Sequence, residues 1–119
     1  MNKDFKCFQK YFKEYQYRFG LAGYKVYFKY EPLDDGIFAN ITCDSHDMFA
    51  TVRLNSVVSK EDKPDRDIRR LAKHEAIHLL LARFDDKARS RYVRRDEIYE
   101  VAEELATKLE GLIGDEHRR

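Results

Sequence analysis

A chain of 119 residues, 43% hydrophobic and 13% aromatic, has material for one modest core and too little for two. Its 23 basic and 22 acidic side chains leave a formal net charge of +1, which excludes a global bias toward nucleic acid or anionic membrane. With no bilayer-length apolar run, no signal-peptide pattern and two distant cysteines, Cys7 and Cys43, the expectation is a cytoplasmic, single-domain protein (residues 1–119) with free thiols.

The first expected element is a helix within residues 1–20. Phe5, Phe8, Phe12, Tyr15 and Phe19 step by three and four along one stripe, while Lys3, Lys6, Lys10, Lys13 and Glu14 cover the other side. Gly20 and Gly23 mark the stop and the turn. The period then changes to two. Tyr24, Val26, Phe28 and Tyr30 alternate with polar or outward residues, as do Ile37, Ala39, Ile41 and Cys43, and then Met48, Ala50, Val52 and Leu54. Pro32 with Asp34-Asp35-Gly36, and then Asp44-Ser45-His46-Asp47, read as turns. Three short strands over 24–55 joined by such turns predict an antiparallel meander. His46 between two aspartates reads as an ordinary polar turn.

After a polar connector, Asn55 to Lys63, Pro64 with Asp65 and Asp67 opens a second helix expected over 64–84. From Ala76 to Ala82 this helix is apolar apart from His78, so that part is expected to be packed on every side, with His78 in the interior or at the floor of a cleft. Asp85 to Arg95 reads as a charged connector holding Lys87, Arg89, Arg91, Arg94 and Arg95 around Tyr92. A third helix, 95–112, carries Ile98, Val101, Leu105, Leu109 and Leu112, and a short tail, 113–119, follows. Helix, three strands, helix, helix makes an α+β domain with helices covering one face of a small sheet.

The second helix contains His74-Glu75-Ala76-Ile77-His78. Residues four apart on a helix lie one above the other, so both imidazoles can reach one metal ion, with Glu75 beside any bound water. H-E-x-x-H on a helix is a zinc-hydrolase signature. A hydrolytic zinc takes a third protein ligand, and the third helix offers Asp96, Glu97, Glu100, Glu103 and Glu104. The second helix continues about six residues past His78, roughly 9 Å, so an antiparallel partner comes level with the metal near residues 100–104. That favours Glu100 as ligand, with Glu104 orienting an imidazole. Glu97, Glu103 and Glu104 are the alternatives, and the apolar stripe of the third helix points away from these acids.

With these residues the chain resembles the zincin metallopeptidases, specifically the gluzincin type typified by thermolysin in its short one-domain form, the minigluzincins. SprT-like and phage-encoded small metallopeptidases are similar in size. The resemblance rests on His74-Glu75-x-x-His78 and on Glu100-x-x-x-Glu104, which looks like the family's Glu-x-x-x-Asp with Glu104 in place of Asp. It spans about residues 24–112. No Gly-x-x-His follows His78, which argues against the metzincin branch, and the large second subdomain of thermolysin has no counterpart.

The resemblance implies a minimal zincin-like domain with an active-site helix and a glutamate helix. One zinc would sit on His74, His78 and Glu100, with Glu75 as general base and a peptide or protein as substrate. Tyr92 is the expected oxyanion stabiliser by type and place. The strand Met48 to Leu54 would receive an extended peptide if it forms the cleft-side edge of the sheet. The alternative is a zincin scaffold kept for binding or regulation, with a nucleic-acid association through 87–95 that a near-neutral chain supports poorly.

Overall fold

The computed structural model describes residues 2–58, 67–90 and 92–112. The first helix, α1, runs Lys3–Arg18, with the Asn2 side chain accepting from the Phe5 N–H at 3.1 Å as its N-cap. Gly20, at φ +73, lies in the left-handed region just past the helix end. The Gln16 amide then donates to the Leu21 and Tyr24 carbonyls and fixes the exit toward the sheet.

Three strands follow: β1 Lys25–Glu31, β2 Ala39–Asp44 and β3 Phe49–Asn55. All three were expected, but their arrangement differs from the antiparallel meander. The strand order is β1-β3-β2, with β3 antiparallel to β2 and parallel to β1. The sheet is therefore mixed. The reason lies in the two connections. The turn from β2 to β3 is tight, held by the Asp47 N–H on the Asp44 carboxylate at 2.9 Å, and makes an ordinary hairpin. The connection 32–38 is long enough to carry the chain past one strand position, about 10 Å. Buried Asn55 organises it. Its Oδ1 accepts from the Leu33 N–H at 3.0 Å, and its Nδ2 donates to the Ile37 carbonyl at 2.7 Å.

The fourth element, α2, runs Ile68–Arg89 with Asp67 as N-cap. The expected start at Pro64 lies outside the described residues. The far end corrects the reading of 85–95 as a connector, because the helix continues to Arg89. Nothing in Asp85-Asp86-Lys87-Ala88-Arg89 breaks a helix, and the Asp85–Arg89 pair at 3.1 Å supports its last turn. The last helix, α3, runs Arg95–Leu112, as the periodicity predicts. The expected tail, 113–119, lies outside the described residues.

Helices α1 and α2 cover one face of the sheet. Phe8, Phe12, Ala50, Val52, Leu54, Ala72, Ala76 and Leu79 pack between the layers, nearly or wholly buried. Phe12 meets Phe28 edge-on at 5.5 Å, and Phe5 stacks on Tyr30 at 5.2 Å, seating α1 over β1. The α2 helix also packs on β2, while α3 packs on α2. Among the described residues no helix is long and apolar enough to cross a membrane.

Candidate metal centre

The geometry follows from the phase of α2. Ala72, Glu75, Ala76, Leu79 and Ala82 turn inward toward sheet and α1, while His74 and His78 stand at the edge of that buried stripe, exposed. Their Nε2 atoms lie 3.2 Å apart, with ring centroids 4.8 Å apart and planes crossed at 77°. Two nitrogens each about 2.05 Å from one ion and 3.2 Å apart subtend roughly 103°, close to the tetrahedral angle. Without an ion, one ring donates to the other.

Glu75, between the two histidines in sequence, is buried at 5% exposure. None of the described residues donates a hydrogen bond to its carboxylate. Burial pushes its pKa up, and the His78 and His74 charges partly oppose that. A buried carboxylate without a protein donor is costly unless water, a cation or substrate satisfies it. Both observations, the convergent nitrogens and the orphaned acid, fit a zinc held by the pair.

The wall facing these residues is β2. Ala39, Asn40 and Ile41 line a depression of about 250 Å³ with His74, Glu75 and His78. A second depression, of about 300 Å³, continues from His74 past Phe38, Leu71, Arg70 and Asp67. Because β3 is central, the sheet edge beside the site is β2, not the Met48–Leu54 strand considered from the sequence. Alternating hydrophobicity marks a strand but not its place in the sheet, so the sequence held no signal for this wall.

The other expected site residues stand elsewhere. Glu100 is exposed on α3, and among the described residues no third His, Cys, Asp or Glu joins the pair. Arg83 pairs with Glu104 and Lys87 with Glu97 at 3.2 Å, so α3 packs along the C-terminal half of α2. Arg83 is five residues beyond His78, about 140° around the helix, which puts α3 on another flank from the imidazoles. Glu104 holds Arg83 instead of orienting a histidine, and Glu103 bonds Tyr99. Tyr92 is 84% exposed in the connector. It follows the end of α2 at Arg89, which is about 16 Å along the helix axis from His78.

Three basic residues of the 87–95 stretch meet carboxylates. Lys87 pairs with Glu97, Arg89 with Asp85, and Arg94 with Asp96. Arg91 lies outside the described residues. His46 is exposed in the β2–β3 turn, and both cysteines are free. The chain matches no protein-family profile, no curated protein and no solved structure.

Proposed function

We propose that the protein is a zinc-dependent peptidase whose centre is His74, Glu75 and His78. The observation that carries this reading is the pairing of two Nε2 atoms 3.2 Å apart with a buried, donor-less carboxylate next to them. A structural zinc has no use for a base at that position, whereas a hydrolytic one does.

His74 and His78 would hold the ion, which when bound supplies a Lewis acid that acidifies water and polarises a carbonyl. Glu75 takes a proton from the attacking water and passes it to the leaving amine. Its raised pKa suits both halves of that task, since a base closer to neutrality gives the proton back more readily. The edge of β2 offers backbone groups to an extended substrate passing the site, the mode by which peptides join sheets. A peptide lying there would run beside Ala39–Ile41 and directly over the histidines.

Glu75→Gln is the decisive variant. Zinc stoichiometry should stay near one per chain while cleavage of an unstructured protein such as casein falls by at least about a hundredfold. Loss of zinc together with activity would make Glu75 structural and end the peptidase reading. His74→Ala and His78→Ala should each abolish tight zinc binding. Glu100→Ala should cost far less affinity, since among the described residues no third ligand joins the pair. An equal loss would mean that the ion draws α3 round to the site.

A further inference from the structure

The outward face of α1 carries a second pattern, opposite to the one that builds the core. Lys3, Lys6, Lys10, Lys13 and Tyr17 repeat the same three-and-four steps as Phe5, Phe8, Phe12, Tyr15 and Phe19, displaced by two residues, or about 200° of rotation. All five are exposed, Tyr17 at 78%. The row is about 21 Å long and nearly straight.

Five cations elsewhere, Arg53, Arg83, Lys87, Arg89 and Arg94, meet carboxylates. Among the described residues none of the four row lysines makes an ion pair, and Lys13 instead lies over the Phe28 ring at 5.7 Å. The near-zero total charge conceals this separation. Residues 1–30 hold seven basic and two acidic side chains, a net +5, against −4 for the remainder.

We infer that the Lys3–Lys6–Lys10–Lys13–Tyr17 row of α1 is a binding surface for single-stranded nucleic acid. A line of evenly spaced point charges matches a polymer with one negative charge per repeat. Tyr17, at the end of the line, offers an exposed ring on which an unpaired base stacks. A membrane surface fits less well. The apolar stripe of α1 is spent in the core, with Phe8 and Phe12 fully buried, so no face remains to enter lipid. The surface stands apart from the metal centre and does not depend on the peptidase reading.

The test is fluorescence anisotropy of the full chain with a labelled oligo-dT of about twenty nucleotides across a salt series. Four lysines on single-stranded phosphates should give a log–log salt slope of about −3. Lys6→Glu with Lys10→Glu should weaken binding at least tenfold, Tyr17→Ala roughly five- to tenfold, and Tyr17→Phe little. Unchanged circular dichroism and melting temperature would certify the fold of each variant, with Lys→Gln replacing any that unfolds. No binding at low salt would overturn the inference. So would loss of binding on reversing Arg94 and Arg95 instead, which would point to the connector. Equal affinity for duplex, poly-glutamate or phosphatidylserine vesicles, with Tyr17→Ala silent, would reduce the row to a nonspecific charge and overturn it as well.

Discussion

Burial gives Glu75 a folding cost when it is ionised. Its pKa is raised in the fold, so folding favours the protonated acid. That contribution is complete below the ordinary carboxyl pKa and is lost as pH rises through the folded value. Above that value the ionised, buried side chain is therefore a burden. Glu75→Gln should raise the melting temperature of the metal-free protein by a few degrees and flatten the acid limb of its stability profile. Scanning calorimetry across pH checks both. Cys43 on β2 follows the same sign. Burial, then the nearby charges of Asp86, Glu75 and Asp85, push its thiol up to about 11. Its contribution to stability holds below its ordinary value near 9 and disappears between there and about 11. At pH 8 only about one thiol in a thousand is ionised, so alkylation by iodoacetamide, followed by peptide mass spectrometry, should be slow and should accelerate about tenfold per pH unit. The shared helical edge of His74 and His78 beside Glu75 was legible in the sequence because it depends on one helix alone. Where Glu100 lies relative to them was not, because that depends on how two helices dock.

At the scale of elements, periodicity located all three helices and all three strands, but not the partners each would choose. The 3–4 step of Phe5, Phe8, Phe12 and Tyr15 dictates a buried face whatever lies below it. Nothing comparable in 24–55 distinguishes a meander from the β1-β3-β2 order, since both bury Val26, Ile41 and Val52 alike. The docking of α3 depends on pairs 10 and 21 residues apart in the chain, Lys87–Glu97 and Arg83–Glu104, which a reading of local pattern cannot select among many acids. Among the described residues the start of α2 is capped by the Asp67 carboxylate, which accepts from the Arg70 N–H at 3.1 Å. Asp67→Ala should destabilise the protein by about 1 kcal/mol, read as a lower urea midpoint with unchanged slope. Zinc affinity should stay near wild type, because His74 lies two turns inside the helix. A large loss of affinity would mean that the first turns of α2 position the imidazoles.

For the molecule as a whole, the proposed metal on His74 and His78 would act on every element packed against α2, which includes α1, β2 and α3. Zinc at a hundredfold excess over its dissociation constant should add about 2.7 kcal/mol, a shift on the order of 10 °C in melting temperature. Differential scanning fluorimetry with zinc and then EDTA reads the shift and its reversal, and His78→Ala should show neither. The α+β class followed directly from composition and period because it needs only a count of amphipathic elements. The parallel pairing of β1 with β3 carries a consequence for the order in which the molecule comes together. Val26 pairs opposite Ala50 and Tyr30 opposite Leu54, each 24 residues away, whereas β2 and β3 close across a turn of four. The hairpin therefore forms early and β1 is added to its far side late, after a costlier loop closure. During synthesis β1 leaves the ribosome well before any strand exists to receive it. Until residues 49–55 follow, its apolar side has only α1 for shelter, through Phe5 on Tyr30 and Phe12 on Phe28. The same aromatic contacts of α1 that help build the core can therefore cover that side of β1 before the sheet is complete.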